Sequence, residues 1–329
     1  MTDHTHEEPL EPDLPIIDTH THLSKESAHP ETWPAYPDSA LAADRAASGQ
    51  NVVASIHVDA AGTGYLTEGP EEMRVIGETR TVESWARAAA GDETLRGISA
   101  AIVGHADMRL GARAEDVLRA HMAESPRFRG IRQVAHWQAG KPAYEGMDVQ
   151  EAMLRQPAFA EGVACLGRLG LTFDARVDFA QLPDVAYLAR AVPGTSMVLN
   201  HTGVPFGLGR KAAAEHFDTW RAGMAEVAAC PNVAVKIGAL FMVWHKDDRL
   251  DYMPGSAEAA EGVRDHVLTT IDLFSPGRCM FEGNFPVDRQ GISYGNLGTA
   301  FKRLTAGFTR QEREAMFAGT AARVYRIGL

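Results

Sequence analysis

Short apolar runs rich in β-branched residues recur along the chain, and stretches with apolar residues at helical spacing lie between them. The runs at 14–20 (LPIIDTH), 51–58 (NVVASIHV), 97–105, 128–136, 171–177, 195–201, 232–238 and 277–284 predict eight strands. Segments 114–124, 161–170, 184–192 and 261–274 place apolar residues three and four apart, the stripe of an amphipathic helix. Glycine and proline punctuate the joins, as in AVPGTS, ACPNVA and FSPGRC. Alternating strands and helices imply parallel strands with right-handed crossovers, and eight such units favour an α/β fold of the (β/α)8 kind over an open sheet. The pattern predicts one barrel domain over 14–329, behind an acidic, proline-containing tail at 1–13 that is disordered or extended. No GxGxxG follows the first strand, which argues against a dinucleotide-binding domain.

The connections after strands 2, 4 and 7 are long and leave the C-terminal ends of their strands. That face is where barrels of this kind build their sites. Composition narrows the chemistry further. The 329 residues are 45% hydrophobic and 23% charged, enough for a large core, and the formal net charge of −11 argues against nucleic acid as a partner. No apolar stretch reaches the roughly 18–20 residues of a membrane span, and the acidic start does not resemble a signal peptide. Cys165, Cys230 and Cys279 are scattered without a CxxC, as expected for reduced thiols in a cytoplasmic protein.

The histidines carry the functional signal. Of 13, six (His20, His22, His57, His105, His136 and His201) fall at or just past the C-terminal end of an expected strand, and His245 lies in the loop after strand 7. His121, His216 and His266 read as helix and surface residues, while His4 and His6 belong to the polar tail. His20 and His22 share a strand face, with Asp18 at the same parity one layer deeper. Such a pair can grip one divalent ion, or form a hydrogen-bonded pair without metal. His201 could be a third ligand, a donor to substrate, or a structural residue. Arg132 and His136 share parity on strand 4, as do Asp174, Arg176 and Asp178 on strand 5. Inward arginines suit a carboxylate or other anionic substrate, unless Arg176 pairs with a nearby aspartate. His57 and His105 read as site-lining or structural. The eighth strand offers Glu282 and Asn284 on one face and Asp288 beyond it. An amide cannot take a proton from water, so the general base would be Glu282 or Asp288, aided by a pKa raised through burial.

Six segments in order (IIDTHTHL, GIRQ, FDARV, VLNHTGVP, NVAVKIGAL and RCMFEGNFPVD) resemble the amidohydrolase-related branch of the amidohydrolase superfamily. That branch includes 2-pyrone-4,6-dicarboxylate lactonases and sugar-acid lactonases. The resemblance implies a distorted TIM barrel that hydrolyses lactones, amides or related esters, with some members decarboxylating instead. By position, His20 and His22 match the strand-1 pair and His201 the strand-6 histidine. Asn284 stands where many members carry a catalytic aspartate. Members differ in whether they hold a metal, and Arg132 and Gln133 occupy the place of a metal-bridging lysine, so a binuclear site is not expected.

The resulting expectation is a hydrolase opening a lactone of a small carboxylated or polyhydroxylated substrate. In it His20, His22 and His201 polarise the carbonyl directly or through one zinc or manganese ion, with His201 or Glu282 as third ligand. Arg132, Arg176, His57, His105 and His136 would bind an anionic substrate, Glu282 or Asp288 would move the proton, and Asn284 would donate a hydrogen bond. The alternatives are a metal-dependent decarboxylase or C–C hydrolase acting on an aromatic-derived acid, and a non-catalytic ligand-binding barrel. No nucleic-acid or membrane partner is expected, and a homodimer is compatible with the pattern.

Overall fold

A computed structural model describes residues 7–26, 35–59, 63–140, 148–207, 209–242 and 250–328. Among them, eight strands form one sheet in sequence order. They are β1 (Ile16–Thr21), β2 (Val52–Val58), β3 (Ala101–Gly104), β4 (Phe128–Val134), β5 (Thr172–Arg176), β6 (Ser196–Leu199), β7 (Val233–Ile237) and β8 (Cys279–Phe281). Every neighbouring pair is parallel. Beyond β8 the backbone returns to β1. Asn284 N–H donates to the His20 carbonyl at 2.8 Å, and His22 N–H donates to the Phe285 carbonyl at 2.9 Å. A bridge between Thr21 and Phe285 completes the barrel.

Around the strands lie α1 (Asp38–Ser48), α2 (Ile76–Ala88), α3 (Ala114–Glu124), α4 (Pro157–Arg168), α5 (Leu182–Ala191), α6 (Arg210–Glu215), α7 (Phe217–Ala228), α8 (Ser256–Phe274), α9 (Tyr294–Leu304), α10 (Arg310–Glu314) and α11 (Thr320–Tyr325). The large core lies between strands and helices. A smaller cluster fills the barrel floor, where Ile17, Ile56, Val103, Val198 and Met280 meet Val324 and Tyr325 of α11. No helix among the described residues is long and apolar enough to cross a membrane. Of the tail, Glu7 accepts from Ser256 N–H at 2.8 Å and Glu11 pairs with Arg313, so this part lies against α8 and α10.

Three local departures from the sequence reading have physical causes. The third strand starts at Ala101 rather than 97, because Gly97 (φ 75°) turns beneath the Val53 carbonyl, where a Cβ would come within 2.2 Å. Strand β1 bulges: from Asp18 to Thr21 it advances three residues while β2 advances two, from Ser55 to His57. Asp18 therefore faces α9 instead of lying beneath the inward His20 and His22. Finally, His121 and His266 are buried rather than superficial. His121 stacks on Phe128 at 4.7 Å and lies within hydrogen-bond distance of Thr79 Oγ1, at 2.8 Å. The His266 ring packs among Phe206, Phe217 and Trp220.

The reoriented Asp18 becomes a clasp across the barrel seam. Its carboxyl accepts from Gly283 N–H at 2.7 Å, Tyr294 O–H at 2.8 Å and His20 N–H at 3.2 Å. A Cβ on Gly283 would lie 2.4 Å from Asp18 Oδ2. Gly283→Ala should thus lower unfolding stability by about 2 kcal/mol or more, measured by urea denaturation. An unchanged midpoint would show that the seam does not depend on this clasp.

Candidate active site

The inward positions above the apolar floor are polar. Asp174 on β5, Lys236 on β7 and Asn200 just past β6 are all fully buried. A buried ammonium is tolerated only when it is paired, and Lys236 Nζ lies 2.8 Å from Asp174 Oδ2. The same oxygen accepts from Tyr325 O–H at 2.7 Å and from the Asn200 amide at 3.2 Å. The ammonium also sits over the Tyr325 ring, 5.2 Å from its centroid.

The next layer holds His20, His22, His201 and Glu282, all buried. His201 begins a left-handed turn (φ 60°, followed by Thr202 at 49°), which swings its ring back over the barrel. Glu282 Oε1 lies 2.7 Å from His201 Nδ1 and accepts from His201 N–H at 3.1 Å, while Oε2 lies 3.1 Å from His20 Nδ1. The His20 ring centroid is 4.7 Å from that of His22 and 4.6 Å from that of His201. Burial drives all three imidazoles well below their ordinary pKa. The Lys236 charge adds to this at His20 and His201, the Arg132 charge at all three, and Arg176 at His201. They are neutral, the form that ligates metal or accepts a proton. Burial also pushes the Glu282 carboxyl up to about 8 against the pull of Lys236.

The donor set fits one divalent cation. The Val58 carbonyl, which can only accept, lies 2.9 Å from His22 Nδ1, so the His22 proton is there and Nε2 presents a lone pair. His20 Nε2 faces that lone pair at 3.1 Å. Two imidazole nitrogens so placed need a proton or a cation between them, and orienting partners on the far nitrogens are usual for metal-binding histidines. Ligand atoms of His20, His201 and Glu282 also lie within 4.8 Å of one another.

The remaining sequence candidates divide. Arg132 comes to the site: it donates through Nη2 to the Asp59 carbonyl, and its buried Nε has no hydrogen-bond partner among the described residues. It lines an adjoining cleft of about 480 Å³ together with His105, Asp59, Tyr65, Asp107 and Arg109. Arg176 is buried at the end of β5. His57 turns outward instead and pairs with Glu78 of α2 at 2.9 Å. His136 lies 3.9 Å from Asp178. Past β8, Asn284 (φ 55°) donates to Asp288 Oδ1 at 2.9 Å, and Phe241 N–H donates to Oδ2 at 3.3 Å, so both Asp288 oxygens are engaged. His245 lies outside the described residues.

Sequence reasoning missed Lys236, Asn200 and Tyr325. A lysine inside NVAVKIG was a readable signal, since a charge at an inward barrel position needs a partner. Tyr325 had none, because only the folded C-terminal helix brings it beneath the site.

Comparison with known proteins places this geometry. An uncharacterized protein of Sinorhizobium fredii is 33% identical over 283 residues, 85% of this chain and 83% of that one. An L-fucono-1,5-lactonase of Burkholderia multivorans is 31% identical over 233 residues, 69% of this chain and 72% of the relative. A crystal structure of a Burkholderia multivorans amidohydrolase with bound zinc superposes with TM-score 0.72 at 26% identity, covering 95% of this chain and 99% of that one. Residues 17–327, which span the barrel from the second residue of β1 and include every candidate site residue described above, match the amidohydrolase family model, and the chain belongs to that family.

Proposed function

We propose that this amidohydrolase-family hydrolase opens a lactone of a small polyhydroxylated substrate. The observation that carries the reading is the His201–Glu282 pair, 2.7 Å apart, set against the facing His20 and His22. Lactone hydrolysis needs the carbonyl polarised, a water deprotonated and the ring oxygen protonated as it leaves. His20 and His22 would hold one divalent ion through Nε2. When bound, such an ion supplies Lewis-acid polarisation of the carbonyl. His201 accepts the water proton on Nε2 while Glu282 in its ionised form, favoured by Lys236 against burial, holds its Nδ1–H and stabilises the imidazolium, and His201 then returns that proton to the leaving oxygen. Asp288, with both oxygens engaged, holds the Asn284 turn.

The cleft supports a polyhydroxylated substrate over a dicarboxylate. Arg109 is tied to Asp107 at 2.7 Å and to Asp148 at 2.6 Å, and Arg132 lies 3.8 Å from Asp59 Oδ1. Burial raises the Asp59 carboxyl, but the neighbouring His105, then Arg132 and the hydrogen bond from Tyr65 outweigh it and pull it down to about 2, so it is an ionised acceptor suited to hydroxyl groups. The name of the Burkholderia multivorans lactonase relative points the same way.

Acid release from sugar-acid 1,5-lactones should exceed that from 2-pyrone-4,6-dicarboxylate by about tenfold or more in kcat/KM. The reverse order would overturn the substrate reading. His20→Ala, His201→Ala and Glu282→Gln should each lower kcat by about a hundredfold or more, with fold verified by circular dichroism. Full activity in the Glu282 variant would remove the proton-transfer role.

Asp288 gives a separate pH test. Burial raises its carboxyl to about 8. The folded chain therefore keeps this proton where the unfolded chain releases it, so stability falls as pH climbs from about 4 to 8 and levels above that. Between pH 5 and 8.5, Asp288→Asn should lose less urea stability than the wild type, by about 1 kcal/mol or more. Parallel curves would refute the assignment.

A further inference from the structure

His20 Nδ1 faces two partners of opposite demand. Glu282 Oε2, at 3.1 Å but without hydrogen-bond geometry to it, favours an N–H on that nitrogen, whereas Lys236 Nζ, at 3.5 Å, is placed to donate and calls for a lone pair. The two choices place the His20 proton on opposite nitrogens. Because the His22 proton is committed to the Val58 carbonyl, a hydrogen bond across the 3.1 Å between the two Nε2 atoms must come from His20 Nε2–H. His20 Nδ1 is then an acceptor, and the Lys236 ammonium is there to satisfy it. The result is a continuous chain of donors, from Lys236 to His20 to His22 to the Val58 carbonyl, anchored beneath by Asp174.

A divalent ion between His20 and His22 requires the other arrangement, with Nδ1–H turned to Glu282 and the Nε2 lone pair exposed. It also has to bind near a fixed positive charge. We propose that Lys236 is a positioning residue that holds His20 in the metal-free arrangement and so weakens divalent-metal binding at this site. The inference rests on the reading above that His20 and His22 form the ion site, and it concerns how tightly that site is held. Lys236 would act through His20, its contact at 3.5 Å. The Asn200 amide donates to the same Asp174 oxygen that pairs with Lys236, which holds the carboxylate beneath the lysine.

The test is zinc affinity of the full chain, measured by competition with a chromophoric chelator, with bound zinc counted by elemental analysis. Lys236→Met should bind zinc at least about tenfold more tightly than the wild type. Because that variant leaves Asp174 without its ion pair, Lys236→Met/Asp174→Asn is measured beside it; the donor to His20 is equally absent there, and tighter binding is again expected. A merely structural lysine would lower the melting temperature of these variants without tightening zinc, and affinities equal to or weaker than wild type in both would overturn the proposal. Nitrogen-15 NMR of the metal-free wild type gives an independent reading: His20 should carry its proton on Nε2, and a proton on Nδ1 would refute the assignment. A wild type that takes up no zinc beside a variant that does would remove the ion from the proposed reaction while upholding the role of Lys236. Equal, tight binding by both would do the opposite.

Discussion

The seam between β8 and β1 sets the geometry on which the rest of the molecule depends. Two backbone hydrogen bonds, from Asn284 to His20 and from His22 to Phe285, join the first and last strands at the height of the site. They fix the register of the two segments that supply His20, His22, Glu282 and Asn284. A slip of one residue would exchange the inward and outward sets, sending the histidines into the helix layer and Thr19 and Thr21 toward the barrel axis. The bulge in β1 is part of the same device. It frees Asp18 to clasp Gly283 and Tyr294 from outside while His20 and His22 keep their inward aim.

Within that frame the interior is layered by polarity. An apolar floor closed by α11 supports the Asp174–Lys236 ion pair, and the imidazoles and Glu282 stand above it. Far from water, each charge must be answered by a neighbour, because removing one partner of a buried pair leaves the other exposed to the full cost of desolvation. Neutral imidazoles above a paired lysine are the outcome of that accounting. Their basicity is suppressed chiefly by burial and further by the surrounding cations.

Much of this was legible in the chain. The eight strands announced themselves because inward and outward residues are both covered, which leaves apolar runs, and helix α3 has the bounds its periodicity indicates. The histidine pair, His201, Glu282 and Arg132 could be placed near one another from strand parity alone. Parity failed at Asp18, because a bulge leaves no mark in composition, and the position of His57 at a strand end left its face open; on β2 it faces α2 and Glu78. The neighbours of Lys236 were hidden for another reason. Its partners come from β5, from β1 and from the last helix, and only closure of the barrel brings such distant segments together.

The cleft beside the histidines carries arginines and carboxylates that already answer one another, Arg109 to Asp107 and Asp148, Arg132 to Asp59. Viewed from solution, these two arginines and three aspartates largely offset one another and leave a slight negative excess, screened beyond about one Debye length, roughly 8 Å at physiological salt. The mouth thus projects little field of its own, and the overall charge of −11 would slow the approach of anions. An uncharged molecule reaches such an opening by diffusion alone, so its capture rate should be indifferent to ionic strength.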